Sequence, residues 1–133
     1  MNSPAIRLAD SCPEAFRRVK EHRDVNTVVL RLTGGTLDVE AEANWTPEEL
    51  IASLPPDQAR LLVHEVPYAT HAGARRHAHL LIWWMPATAA EDEAAYAPAY
   101  DILKTQCTDV PVHLIARVST QLAYPRLVAL ADT

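Results

Sequence analysis

The stretch from Leu80 to Lys104, LLIWWMPATAAEDEAAYAPAYDILK, constrains the fold of this chain more than any other. It opens on an unbroken apolar run, turns at Pro86, and continues into a segment whose alanines and Leu103 favour a helix. A strand that is apolar on both sides has to be covered on both sides, which places it inside a sheet and not at its rim. The rest of the chain must therefore supply neighbouring strands and helical layers above and below.

The flanking sequence meets that demand. Ser11-Cys12-Pro13-Glu14 reads as a capping box with proline in the first turn, opening a helix to about His22 with Phe16 and Val19 on one face. Val25 to Leu32 is rich in β-branched residues and stops at Gly34-Gly35, a hairpin signal before the second strand, TLDVEAEA. Thr46-Pro47-Glu48-Glu49 repeats the capping pattern, so Pro47 to Leu54 is predicted as a short helix ending at Pro55-Pro56. Arg60 to Tyr68 is a third strand whose Pro67 marks its end or an edge position. A loop is expected over Ala69 to Arg76, and His77 to Trp84 is the fourth, central strand. Trp83 and Trp84 point to opposite sides of it, and both are assigned to core.

Thr88-Ala89-Ala90-Glu91 reads as a third capping box opening the long helix, with a kink expected between Ala94 and Pro98. Pro111 to Arg117 is a fifth strand. Ser119 to Ala131 is a last helix in which Pro125 either makes a kink or sets the true start. The order is α-β-β-α-β-β-α-β-α. It predicts an α/β (α+β) fold, a central mixed five-stranded sheet flanked by about four helices, in a single domain over residues 1–133 with a flexible segment over 1–10. A chain of this length typically buries about two-thirds of its unfolded surface, enough for a core without staples.

Several functional classes are disfavoured. The net charge of -5, with Arg75-Arg76 as the longest basic feature, argues against nucleic acid as a partner. No apolar run approaches the roughly 20 residues that cross a bilayer, and the N-terminus lacks a signal-peptide pattern, so a cytoplasmic chain without membrane insertion is expected. Cys12 and Cys107 show no ligand spacing and read as free thiols. His71, His77 and His79 form the nearest approach to a metal cluster, but no Asp, Glu or Cys at ligand spacing completes a site. His64 and His113 lie within apolar strands and read as core or edge residues. With three glycines there is no phosphate loop, and no Ser or Cys has a nucleophile context. No cofactor, no metal and no catalytic residue is expected.

Five segments, in order, resemble the actin-depolymerising-factor homology family, which includes ADF/cofilin, twinfilin, coactosin and glia maturation factor. Ser3 to Cys12 followed by Phe16 resembles the cofilin N-terminus and first helix. Pro47 to Pro55 followed by Arg60 resembles the family's short helix and the start of its third strand. Leu81-Ile82-Trp83-Trp84-Met85-Pro86-Ala87-Thr88-Ala89 is similar to the family signature F-I-x-W-x-P-x-(T/S)-A. Tyr96-Ala97 with Asp101 and Lys104 resembles the segment Y-A-S-S-K-D, and Val110 to Ala116 the strand G-I-x-V-x-L-x-A.

The resemblance implies a non-catalytic, monomeric, cytoplasmic regulator of the actin cytoskeleton. In this family the N-terminus and the long helix insert into a cleft on an actin monomer. That implies contacts from Ser3, Pro4, Ala5, Ile6, Thr88, Glu91, Glu93, Ala94, Ala97 and Lys104. A basic hairpin and the last helix reach a neighbouring subunit in filaments, which implies Arg75, Arg76 and Arg126. Ser3 aligns with the phosphorylatable serine of cofilins, where about two added negative charges are expected to inhibit binding.

Where cofilins carry K/R-x-K-M before the Tyr-Ala pair, this chain has Glu91-Asp92-Glu93-Ala94-Ala95. Actin is acidic, and like charges across an interface suppress binding, so severing is expected to be weak. Acidic residues at a helix start are also explained by the dipole alone, at roughly 0.3 to 1 kcal/mol each. Two other readings stand beside this one: a glia-maturation-factor-like binder of the actin-related-protein branching complex, and a small metal-dependent enzyme using the histidines.

Overall fold

A computed structural model describes residues 6–22 and 25–132. Six strands form one mixed sheet, in the spatial order β1-β3-β2-β4-β5-β6. They are β1 (Arg7–Leu8), β2 (Thr27–Thr33), β3 (Thr36–Ala43), β4 (Arg60–Ala69), β5 (Arg75–Trp84) and β6 (Val112–Ala116). Neighbours are antiparallel except at the two rims, where β1 runs parallel to β3 and β6 runs parallel to β5. The four α-helices are α1 (Ser11–Arg17), α2 (Pro47–Ser53), α3 (Glu93–Gln106) and α4 (Tyr124–Ala131).

The sixth strand corrects the five expected. Arg7 N donates to Gly35 O and Ala9 N to Leu37 O, both at 2.9 Å, so two residues of the segment expected to be flexible are tied to β3. Residues 1–5 lie outside the described residues.

Alternation along the strands divides the core in two. Val28, Leu30, Leu61, Val63, Leu81 and Trp83 face a layer made by α1 and α3, which contribute Cys12, Phe16, Tyr96, Tyr100 and Leu103. Val29, Leu62, Leu80, Ile82, Trp84 and Ala116 face Leu50 and Leu54 around α2 and Leu122 and Leu127 around α4. Helices thus cover both faces, and β5, paired on both sides, is interior to the sheet. Trp83 and Trp84 are buried on opposite faces, at 5% and 6% exposure.

Gly34 and Gly35 take φ of 58° and 81° and close the β2–β3 hairpin between Thr33 and Thr36, a turn that demands left-handed backbone. Pro67 lies inside β4, beyond His64 where pairing with β2 ends, so its missing N–H falls on an open edge. The expected loop is shorter than predicted, because Arg75 and Arg76 pair with Ala69 and Tyr68 and belong to β5.

The helix starts depart from the sequence reading in instructive ways. Thr46 forms the full capping box with Glu49. Ser11 instead donates to Asp38 Oδ1 at 3.1 Å, and α1 starts without a side-chain cap. It continues as a π-helical turn over Arg18–His22. Thr88 donates to Pro56 O at 2.9 Å, so it caps nothing. The chain makes a 3-10 helix over Ala87–Asp92, breaks from helical geometry at Ala89 (φ -107°, ψ 26°) and begins α3 only at Glu93. The irregularity expected between Ala94 and Pro98 therefore sits earlier. Pro98 is accommodated within α3, where it and Ala94 are exposed and the freed Ala94 carbonyl can be hydrated. Pro125 lies in the first turn of α4, which starts at Tyr124 after a separate 3-10 turn over Ser119–Leu122.

Candidate functional site

The surface with the most residues singled out from sequence is the outer side of α3 and the corner that leads into it. That corner is built by stapling two loops together. Trp84 Nε1 donates to Pro55 O at 2.7 Å and Thr88 Oγ1 to the next carbonyl, Pro56 O, so the segment after α2 is pinned to the end of β5. Met85 N donates to Ala116 O at 2.8 Å, which aligns the end of β6 with the same corner.

Tyr96 then anchors α3. Its ring is buried, and its hydroxyl accepts from Leu32 N at 3.0 Å, fixing the helix start against β2. One turn further on, Tyr100 packs on Trp83. With Tyr96, Ala99, Tyr100 and Leu103 inward, the opposite side of α3 presents Ala94, Ala95, Pro98 and Asp101 to solvent. The far end is tied down by Lys20 Nζ, which donates to Asp109 Oδ1 at 2.9 Å. That hydrogen bond holds the Asp109 carboxyl below the ordinary carboxylate range.

The acidic start of α3 is less bare than its sequence implies. Glu93 Oε1 accepts from Arg117 Nη1 at 3.2 Å, across to the segment that follows β6. Asp92 Oδ2 lies 3.5 Å from Ala59 N and is half-buried, whereas Glu91 is exposed. A cleft of about 430 Å³ opens beside them, with Arg31, Arg60, Glu91, Asp92 and Tyr96 among its walls. Its floor residue Arg60 is 5% exposed and makes four hydrogen bonds, to Glu40 through Nε and Nη2, to Ala59 O and to Gln58.

Of the other residues singled out, Ser3, Pro4 and Ala5 lie outside the described residues. Ile6 is half-buried against the α1–α3 core and Ala97 packs on the same cluster, so each presents only part of its surface. Lys104 Nζ sits 3.2 Å from Asp101 Oδ1 and 4.8 Å from the Tyr100 ring centre. The basic residues expected to act together are divided. Arg75 and Arg76 are exposed neighbours on a strand and so point to opposite faces. Arg76 shares the α4 face with Tyr68, whose hydroxyl donates to Ala131 O at 3.4 Å. Arg126, exposed on α4, lies on that face too.

Sequence reasoning missed two features. Arg117 lies 24 positions from Glu93, and a single arginine after a strand carries no signal of its own. Glu65 reaches between two histidines, with Oε1 3.3 Å from His77 Nδ1 and Oε2 3.0 Å from His79 Nε2, because β4 pairs Glu65 directly with His79. These side chains make a carboxylate–imidazole contact cluster across the β4–β5 pair. Among the described residues, no group of three or more His, Cys, Asp or Glu is arranged to hold a metal ion. Cys12 and Cys107 are buried free thiols whose pKa values burial pushes up, which keeps them protonated and unreactive.

Fold and surface together define a class first: a small sheet-centred module that presents a stapled helix face and a hairpin to solvent. Its family follows from comparison. Residues 5–128 match the family described as cofilin/tropomyosin-type actin-binding protein, and the chain belongs to this family, which is cytoskeletal and non-enzymatic. Actin-depolymerizing factor 7 of Arabidopsis thaliana is 24% identical over 122 residues, covering 90% of this chain and 89% of that protein. The crystal structure of Streptomyces griseoflavus cofilin superposes with a TM-score of 0.87 at 22% identity over 96% of this chain and 99% of that one. That of Plasmodium berghei actin depolymerization factor 2 superposes with a TM-score of 0.85 at 15% identity over the whole of both chains. No helix among the described residues is long and apolar enough to cross a membrane.

Proposed function

We propose that this chain binds actin and regulates monomer and filament turnover by shape complementarity, without cofactor. The docking face is the outer side of α3 with its leading corner: Ile6, Thr88, Glu91, Glu93, Ala94, Ala97 and Lys104, continued by Ser3, Pro4 and Ala5. Arg76 and Arg126 on the α4 face, with Arg75 reaching from the other side of the β4–β5 hairpin end, contact a second subunit in filaments. Family membership supports the partner. The observation that carries the docking face is the pairing of Glu93 with Arg117 beside exposed Ala94, Ala95 and Pro98. Small side chains let a partner backbone approach the helix closely, and in the free chain the pairing offsets one acidic charge while an acidic partner approaches.

Severing is the weaker activity, because Glu91 stays exposed where relatives carry cations. The test is cosedimentation with filaments together with a titration of labelled actin monomers. Saturable binding to monomers supports the reading. Absence of binding to both forms, with retention on the actin-related-protein branching complex, would overturn it in favour of a glia-maturation-factor-like debranching role.

A further inference from the structure

We infer that Arg117 supplies the docking cation of this surface, held in reserve by Glu93 and handed to a carboxylate of the acidic partner on binding. The inference rests on the actin reading above and names a residue outside the one helix on which that reading centres.

α3 contains a single basic residue, Lys104, and it is occupied by Asp101 and the Tyr100 ring at the far end. Nothing basic in α3 faces a partner from its first turns. Arg117 comes to that place from another element. Its backbone is clamped, because Gln121 Oε1 accepts from both Arg117 N at 2.6 Å and Val118 N at 3.1 Å, while the preceding Ala116 is buried beneath the corner. The guanidinium thus projects from a fixed mount next to α3. Of its nitrogens, Nη1 meets Glu93; among the described residues the guanidinium makes no other hydrogen bond or ion pair.

The pair is built to be exchanged. Both side chains are 49% exposed, and ion pairs at that exposure contribute little to stability, so neither the fold nor α3 depends on it. Ile115, two positions before Arg117, and Val118, directly after it, are exposed at 41% and 55%. A cation flanked by uncovered apolar side chains is the composition of an interface centre, where arginine and large apolar groups are enriched and binding excludes water around the charge. An arriving carboxylate competes with Glu93 for a fork of N–H donors, of which only one end is engaged.

The test is a monomer titration of Arg117→Ala, Arg117→Lys, Glu93→Gln and the double variant Arg117→Ala/Glu93→Gln, each first checked for an unchanged melting curve. Arg117→Ala is expected to weaken binding about tenfold, with Arg117→Lys recovering part of the loss. Glu93→Gln is expected to tighten it about threefold by freeing the guanidinium, and that gain is expected to vanish in the Arg117→Ala background. Wild-type affinity in Arg117→Ala, or an equal gain from Glu93→Gln in both backgrounds, would overturn the inference while leaving actin binding in place. If wild type and every variant fail to bind monomers and filaments, the functional reading itself falls and takes this inference with it.

Discussion

The rings of Trp83 and Tyr100 lie 5.2 Å apart, centre to centre, tilted by 44°. This contact joins the interior strand β5 to the inward face of α3. Both rings are nearly buried, and Lys104 caps the pair from outside, 4.8 Å above Tyr100. The strand that dictates the fold and the helix that presents the surface are therefore one packed unit. The position of the proposed docking face is set by core packing and not by a loop.

Trp83→Ala is expected to lower stability by about 3 to 5 kcal/mol, since it opens a large cavity between β5 and α3. Trp83→Phe keeps an aromatic partner for Tyr100, and its expected cost is smaller by about half. Urea unfolding followed by circular dichroism measures both.

Arg60 is buried at 5% exposure, while its partner Glu40 has a third of its side chain in solvent. The two halves of the pair should therefore respond unequally. Glu40→Gln leaves an arginine still bonded to Ala59 O and Gln58. Arg60→Ala empties a buried side-chain site and takes the donor from the Ala59 carbonyl, and is expected to cost roughly 3 kcal/mol, more than Glu40→Gln, whose amide oxygen still accepts from the guanidinium. Paired denaturation curves test the order.

His64 gives the stability a defined pH dependence. Asn26 is oriented by Trp45, whose N–H donates to Oδ1 at 2.9 Å and whose carbonyl accepts from Nδ2 at 2.8 Å. Thr27 Oγ1 donates its single proton to Asn26 Oδ1 at 2.8 Å. The 2.7 Å contact from Thr27 Oγ1 to His64 Nδ1 then takes its proton from the ring, so His64 is the neutral Nδ1–H tautomer. Burial lowers its pKa from 6.5 to about 4, against a smaller opposing pull from Glu65. The unfolded chain takes up a proton near 6.5 that the folded chain refuses until about 4. Stability therefore rises with pH across that window, is fully present above it, and is lost as pH falls. The contribution is about 3 kcal/mol. His64→Gln should flatten the slope between pH 6.5 and 5, and nitrogen-15 spectra should show Nδ1 protonated; an unchanged slope would remove His64 as its source.

The two threonines that read alike in sequence should differ on mutation. Thr46→Ala removes a working cap and is expected to cost about 1 kcal/mol. Thr88→Ala leaves α3 uncapped as before and frees the Pro56 carbonyl at an exposed corner, so a loss of about 0.5 kcal/mol is expected. Thermal melts of the two variants distinguish them.

That contrast marks what was legible in the chain. Periodicity and β-branching located all five long strands and the four helices, because core burial is written in local pattern. Capping residues did not reveal which of them cap. Ser11 and Thr88 fit the pattern but bond Asp38 and Pro56, partners 27 and 32 positions away. Strand β1 was hidden for the same reason: two residues, Arg7 and Leu8, carry no periodicity, and only β3 gives them a ladder. At the candidate site, the acidic run Glu91-Asp92-Glu93 was visible but the pairing of its Glu93 with Arg117 was not, since charge balance is settled by neighbours in space.

The central claim, that the outer side of α3 docks onto acidic actin, is tested most directly by titrating labelled actin monomers with wild type and Glu91→Lys at low and high salt. Glu91 is exposed at the leading corner of α3, so reversing its charge leaves the core untouched. Monomer affinity should rise about three- to tenfold at low salt, and the gain should shrink as salt is added. An affinity unchanged by Glu91→Lys at both salt concentrations would contradict the claim and turn this helix away from actin.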